Sequence, residues 1–164
     1  MKLSKREIEH LISCFYPYLK KNEIKILLSI SRYHVFGNKE IILKSGRTDN
    51  TVFIILKGPA RAYSLDINGN EINHHLRSEG FLFGDPRVIG NGVQILNVEA
   101  MSEIHILKFD IGELESTGKE NPEMMEFYLN LLKELILTFS HRITTLLTMN
   151  PKERYIDLLE WKPF

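Results

Sequence analysis

The residues best suited to chemistry lie between Glu79 and Ala100, in the stretch EGFLFGDPRVIGNGVQILNVEA. The stretch reads as a strand, a glycine turn at Gly84 and a second strand, and the backbone amides of such a turn can surround a phosphate. Two features oppose that use: Pro86 has no amide proton to donate, and the second strand carries no arginine to neutralise an anion. Three hypotheses stay open: a phosphate site, a site that has lost its anion chemistry, or only a turn.

Histidines offer a second kind of chemistry. His74 and His75 are adjacent in a predicted strand, and His105 lies in a later one. Neighbouring strand residues point to opposite faces, so His74 and His75 would need a β-bulge to share a metal ion. We therefore expect one of the two inside and one outside, and no metal site. The chain shows no nucleophile elbow, Walker loop or HExxH motif, so no enzyme is predicted.

Composition narrows the function further. The chain has 164 residues, of which 21 are basic and 21 acidic, so it lacks the positive charge typical of nucleic-acid-binding proteins. Cys14 is the single cysteine, which excludes an internal disulfide and fits a reducing cytoplasm. We expect Cys14 to be a small core residue. No signal peptide or membrane-spanning segment is predicted, and the basic run at residues 19–25 is interpreted as a solvated helix face.

Hydrophobic patterning predicts helices, then strands, then a long helix. Residues 4–31 read as two helices: Ser4 and Glu7 form a capping box for the first, and the second covers Asn22 to Ser31. Asn68-Gly69 predicts a hairpin turn within an all-β zone, residues 33–108. Eight short strands are predicted there, which is typical of a sandwich, roll or barrel. They cover 33–36, 40–46, 51–58, 60–66, 71–76, 81–84, 94–100 and 103–109.

The long helix is predicted from about Pro122 to Met149 and carries two apolar stripes, where a helix packed only on its own domain needs one. The first stripe has the 4-3 spacing of a coiled-coil seam, which predicts pairing with the same helix of a second copy. It comprises Met125, Leu129, Leu132, Ile136, Phe139, Ile143 and Leu146. The second stripe is expected to pack on the β zone and comprises Met124, Phe127, Leu131, Leu135 and, less regularly, Leu147. A further helix is predicted to start at Asn150-Pro151.

This order of elements resembles the cyclic-AMP receptor and fumarate-nitrate regulator (CRP/FNR) family. Gly46, Asp49, Gly58 and Gly69 match the punctuation of that family's strands, and MNPKERYIDLL resembles its junction after the dimer helix, in a form similar to the branch common in Bacteroidetes-type bacteria. The resemblance implies an α+β, mainly β fold. It is a double-stranded β-helix, a jelly-roll-like cyclic-nucleotide-binding β-roll with N-terminal helices and a long C-terminal dimerisation helix. Residues 1–121 would form the helices and roll, 122–149 the dimerisation helix, and 150–164 the start of a hinge.

Family members that bind cyclic AMP hold its phosphate with a Gly-Glu-Leu motif and, about ten residues later, an Arg-Ser or Arg-Thr pair. In this sequence Gly84 matches the glycine, and Asp85 stands one methylene short of the glutamate. Pro86 replaces the leucine. Gln94 and Ile95 take the places of the arginine and the hydroxyl residue, so the motif implies a phosphate cassette whose shape is kept and whose anion chemistry has mostly gone.

Two other parts of that site follow from the same resemblance. Arg87 is the one residue that could partly replace the missing charge, and Phe139 and Ser140 fall where the family reads the base. We therefore expect no cofactor and a cyclic nucleotide that binds weakly or not at all. A different small-molecule effector, or a roll without a ligand that serves dimerisation or signalling, stays open.

The implied function is the ligand-sensing and dimerisation domain of a transcription regulator. In the family a winged helix-turn-helix follows the junction, so we expect no DNA binding by this chain alone and DNA binding where such a module follows. The alternatives are a small cupin-like metal-dependent enzyme or a stand-alone dimeric interaction module.

Overall fold

The computed structural model describes residues 2–47, 50–84 and 92–160. The chain divides into two compact units, Met1–Met125 and Glu126–Phe164, which are described separately below. None of the helices in the described ranges is both long enough and apolar enough to cross a membrane.

The first unit opens with helices α1 (Lys5–Phe15) and α2 (Lys21–Ser29). The predicted capping box is present: the Glu7 amide donates to Ser4 Oγ at 3.3 Å, and the Ser4 amide donates to Glu7 Oε2 at 2.7 Å. These bonds satisfy amides that a helix start otherwise leaves without partners. The second helix ends at Ser29, two residues earlier than predicted.

All eight predicted strands are present, and they form two four-stranded antiparallel sheets with the orders β1-β8-β3-β6 and β2-β7-β4-β5. The strands are β1 (Arg32–Phe36), β2 (Ile41–Leu43), β3 (Thr51–Lys57), β4 (Ala60–Leu65), β5 (Glu71–Arg77), β6 (Leu82–Phe83), β7 (Asn97–Ala100) and β8 (Ile104–Asp110). The predicted lengths of β2 and β7 are too great. Residues next to these strands have a strand-like composition, but they form backbone hydrogen bonds with loop residues.

The core of the roll takes its side chains from both sheets. The rings of Phe53 and Phe83 stack with centroids 5.5 Å apart. Each large apolar side chain buried in this way stabilises the fold by about 1.5–3 kcal/mol. The core cluster comprises Ile42, Leu43, Phe53, Ile55, Ala60, Ala62, Phe83, Leu96, Val98, Ala100, Ile104 and Ile106. These sheets and helices confirm the predicted β-roll.

Glycines mark the turns between these strands, as the sequence predicts. Gly46, Gly58 and Gly69 all have positive φ angles, between +82° and +88°. Gly58 is the most constrained, because a Cβ there would lie 2.5 Å from the carbonyl oxygen of Glu103. Asp49 lies outside the described residues.

Helix α3 (Ile111–Glu120) was not predicted from the sequence. Asp110 caps it, since its Oδ1 accepts from the Glu113 amide at 3.0 Å. Gly112 and Gly118 lower the helix propensity of this short segment, which conceals it in the sequence. Gly118 serves packing: a Cβ there would lie 3.1 Å from the Cα of Met125.

Helix α4 (Pro122–Thr148) runs from the end of the first unit into the second, which also contains α5 (Pro151–Glu160). Asn121 Oδ1 accepts from the Met124 amide at 3.0 Å, and Asn150 Oδ1 accepts from the Lys152 and Glu153 amides, so both predicted caps are present. Within the second unit, a 2.8 Å bond between His141 Nε2 and Asp157 Oδ2 joins α4 to α5.

The two predicted stripes of α4 differ in exposure. In the first stripe, Leu129, Ile136, Ile143 and Leu146 are exposed, while Met125, Leu132 and Phe139 are half-buried. In the second stripe, Met124, Phe127 and Leu131 are buried and Leu135 is half-buried. Leu147 is 81% exposed, so its assignment to the second stripe is wrong. Helical geometry places Thr145 on the buried face instead, where its Oγ1 donates to the Arg142 carbonyl.

Candidate ligand site

Gly84 stands at the predicted start of the cassette, directly after β6. A Cβ at this position would lie 2.9 Å from Val52 Cγ1, which is closer than packed side chains approach. Glycine at the end of β6 therefore allows the backbone to lie close to Val52 of β3. Asp85 and Arg87, which also belong to the predicted site, lie outside the described residues, as does Pro86.

Gln94 occupies the position that the resemblance assigns to an arginine. It is fully buried. Its backbone N–H donates to the Arg47 carbonyl at 2.8 Å, and its backbone carbonyl accepts from the Gly46 N–H at 2.7 Å. These two bonds fasten the segment to the glycine turn that follows β2. The buried side chain at this point is thus a neutral amide.

Ile95 lies next to Gln94 but is 44% exposed, while Leu96 is buried in the core cluster of the roll. The alternation is that of an extended chain, in which successive side chains point to opposite sides. Phe83 belongs to the same core cluster, so the residues just before Gly84 and just after Ile95 meet in one apolar interior.

Two arginines of the roll contact the segment from Gln94 to Glu99, Arg47 through its backbone and Arg61 through its side chain. Arg61 on β4 is committed to carboxylates, with Nη1 2.7 Å from Glu71 Oε2 and Nε 3.3 Å from Glu99 Oε1. Hydrogen bonds to Glu99 and then Glu71 raise the pKa of Arg61. Arg47 is exposed, and its backbone carries the bond to Gln94. Arg47 was not predicted as a site residue, and its position after the glycine turn in KSGRTDN was the available signal.

The two residues predicted to read a base lie on α4, in the second unit. Phe139 is half-buried and Ser140 is exposed. The Ser140 carbonyl accepts from Thr144 Oγ1 at 3.0 Å. Their roles toward a ligand stay predictions.

The strand histidines differ from the prediction of one inside and one outside. Both are half-buried, because the register of β4 and β5 shifts between Ala62 and Tyr63. His74 is the extra residue of this bulge, and its Nε2 lies 2.8 Å from Ser64 Oγ. The rings of His74 and His75 are 6.5 Å apart.

His105 lies in the other sheet and is almost fully buried. Its Nδ1 lies 2.6 Å from Tyr33 Oη, and its Nε2 lies 3.2 Å from Glu103 Oε1. The bond from His105 is the main cause of the lowered pKa of Glu103. Within the described ranges, no three His, Cys, Asp or Glu side chains come together as a metal site would require.

Cys14 also departs from its prediction as a core residue. It is exposed, with its Sγ 3.7 Å from His10 Nε2 one turn earlier on α1. The buried face of α1 is formed by Ile8 and Ile12, and Cys14 lies off that face.

Comparisons with known proteins agree with this architecture. The sequence model of the cyclic nucleotide-binding domain family matches residues 33–121, which is more than half of the chain. No curated protein matches the chain at the level of sequence.

Among solved structures, the catabolite activator protein of Thermus thermophilus superposes with a TM-score of 0.65 at 18% identity, covering 82% of this chain and 62% of that protein. A CooA mutant from Carboxydothermus hydrogenoformans gives 0.63 at 19% identity, covering 97% and 99%. The regulatory subunit of a cAMP-independent protein kinase A from Trypanosoma cruzi, bound to guanosine, gives 0.55 at 20% identity, covering 78% and 51%.

The two antiparallel sheets and the helices that flank them form the β-roll of a cyclic nucleotide-binding domain. The chain belongs to the cyclic nucleotide-binding domain family. The chain spans about two thirds or less of the first solved relatives, 62% of the Thermus thermophilus protein among them.

Proposed function

We propose that this chain is the ligand-sensing and dimerisation domain of a CRP/FNR-like transcriptional regulator whose phosphate cassette is degenerate. The observation that carries the proposal is the complete burial of Gln94, a neutral side chain at the position that the resemblance assigns to the phosphate-binding arginine. Family membership and the fold support the sensing role.

The proposed consequence is weak binding of cyclic nucleotides. A charge-assisted contact to a buried phosphate is worth about 1.5–3 kcal/mol, so its loss weakens binding by roughly 10- to 150-fold. The Trypanosoma cruzi relative, whose structure holds guanosine, supports the idea that this fold accepts a ligand without a phosphate. We therefore place an uncharged nucleoside ahead of cyclic AMP as a candidate for this roll.

The proposed dimer uses the exposed stripe of α4. Leu129, Ile136, Ile143 and Leu146 recur at seam spacing and are exposed in the single chain, as residues that pair with a second copy would be. Signalling would then be a population shift, in which a ligand in the roll changes how two α4 helices pair. DNA binding would require a helix-turn-helix module attached after α5. We propose no catalytic role and a cytoplasmic location.

A thermal-shift titration tests this function. Cyclic AMP, cyclic GMP and guanosine are each added at 1 mM to the wild-type protein. A ligand with a dissociation constant of about 10 μM would stabilise the native state by about 2.7 kcal/mol, which raises the melting temperature by several degrees. We expect no such rise with either cyclic nucleotide.

Two matched measurements complete the test. Gln94→Arg is expected to increase the response to cyclic AMP, whereas Gln94→Ala is not, since only the arginine restores the cation. A strong response of the wild type to cyclic AMP would refute the degenerate cassette. Stoichiometric iron, zinc or manganese in the purified protein would instead favour the cupin-like enzyme.

A further inference from the structure

A cavity of about 420 Å³ lies outside the interior of the roll, between the two N-terminal helices and the sheet that contains β1 and β8. Tyr33 and Leu107, which are direct partners across these strands, contribute to its wall. Ile106 faces the core of the roll, so alternation along β8 turns Leu107 to the outer face. The volume falls within the range of roughly 300–1,000 Å³ that is usual for small-molecule sites.

The floor of this outer cavity is apolar. Ile8, Leu28 and Leu107 supply aliphatic surface, and Tyr33 supplies its ring. The Tyr33 hydroxyl is already engaged, because it accepts from the Leu3 amide at 2.9 Å and lies 2.6 Å from His105 Nδ1. The floor therefore offers contact area to an apolar group and little hydrogen bonding.

The charged residues of the outer cavity are all basic. Lys5 from α1 and Lys25 from α2 line it, and no acidic residue of the described ranges does. Neither lysine forms an ion pair with a described residue. Two unneutralised ammonium groups beside an apolar floor complement an anion that carries an apolar body.

Two serine hydroxyl groups line the outer cavity, and one of them has no hydrogen-bond partner among the described residues. The Ser29 hydroxyl donates a hydrogen bond to the Ile26 carbonyl at 2.7 Å. Ser31 Oγ is buried and has no hydrogen-bond partner among the described residues. A buried hydroxyl without a partner is unfavourable, and an anionic acceptor close to Ser31 would satisfy it after a small rotation of the side chain.

We propose that the outer cavity binds a small organic anion with an apolar body, such as a medium-chain carboxylate or an alkyl phosphate. The head group lies between Lys5 and Lys25 and the body lies on the floor formed by Ile8, Leu28 and Leu107. The site is separate from the interior of the roll and does not depend on the function proposed for it.

Isothermal calorimetry with decanoate and with octyl phosphate tests the proposal on the full chain. Saturable binding of at least one probe is expected, and the one that binds more tightly identifies the head group. Decanol and inorganic phosphate are the control ligands, each lacking one half of the chemistry. Both are expected to bind at least tenfold more weakly than the better probe.

Variants locate the site. The double variant Lys5→Gln/Lys25→Gln is expected to weaken binding about tenfold or more, because two charge-assisted contacts are lost. The matched control Lys21→Gln/Lys44→Gln removes two exposed lysines outside the cavity and is expected to leave the affinity unchanged. Ser31→Ala, a milder change in volume, is expected to weaken binding several-fold.

Three results would overturn the proposal. The first is no saturable heat with either probe at millimolar concentration. The second is unchanged affinity in the double lysine variant, which would place the ligand elsewhere, for example inside the roll. The third is a control ligand that binds as tightly as the corresponding probe.

Discussion

Replacing Ile136 by aspartate is expected to convert the proposed dimer into a monomer. Ile136 is 66% exposed on α4 and lies in the middle of the apolar stripe that has coiled-coil spacing. In a symmetric pair the same residue is buried twice, so a single substitution acts on both helices.

The structure sets the size of the effect. Complete burial of an isoleucine side chain is worth about 1.5–3 kcal/mol, and two thirds of that is still available in the single chain. Each protomer therefore loses about 1–2 kcal/mol and the dimer about 2–4 kcal/mol, which weakens association by roughly 30- to 900-fold. Desolvation of two carboxylates adds to this loss.

Sedimentation equilibrium over a hundredfold concentration range measures the change. Leu137→Asp is a close control, since Leu137 is also exposed but lies about 100° around the helix from Ile136. We expect the wild type and Leu137→Asp to dimerise and Ile136→Asp to sediment as a monomer. A monomeric wild type, or equal effects of the two substitutions, would refute the reasoning from the stripe.

Two further predictions concern stability and are measured by urea unfolding. Gly58→Ala should lower the free energy of unfolding by about 2–4 kcal/mol, because it adds a clash with the Glu103 carbonyl to a left-handed backbone. Gly46→Ala meets open space and should lower it by only about 1–2 kcal/mol. Equal losses would contradict the close contact at Gly58. In a double-mutant cycle, His141→Ala and Asp157→Ala should show a coupling energy of about 0.5–1 kcal/mol, since the pair is partly exposed; additive losses would show that the pair contributes nothing.

Local rules predicted most of the fold. Ser4 with Glu7, Asn121 and Asn150 mark helix starts through their own side chains, and each makes the bond that its type allows. The turn at Gly69 has the positive φ angle expected of its glycine. Such features are visible because the cause lies within a few residues of the effect.

Features that depend on distant contacts were not predictable in the same way. Helix α3 contains two glycines, and Gly118 is tolerated because Met125 of the next helix packs close to it. The half-buried state of both His74 and His75 follows from a bulge that forms only when β5 pairs with β4. The exposure of Cys14 depends on how α1 is rotated about its axis against the roll. The apolar periodicity of α1 fixes that rotation only to within part of a turn.

The candidate site likewise combines features that were predictable from the sequence with features that required the structure. The resemblance to the CRP/FNR family assigned Gln94 and Ile95 to the positions of the arginine and the hydroxyl residue, but the complete burial of Gln94 and its two backbone bonds to Gly46 and Arg47 required the structure. The cavity between Lys5 and Lys25 combines residues from four elements, and the sequence showed only a basic run on a helix face.

Calorimetric titration of the wild-type protein with cyclic AMP is the most direct test of the central claim, that the buried neutral side chain of Gln94 has removed the phosphate chemistry of the roll. At about 50 μM protein and up to 1 mM ligand, we predict no saturable heat, which corresponds to a dissociation constant well above about 100 μM. A dissociation constant of about 10 μM or below, with one site per chain, would contradict the account.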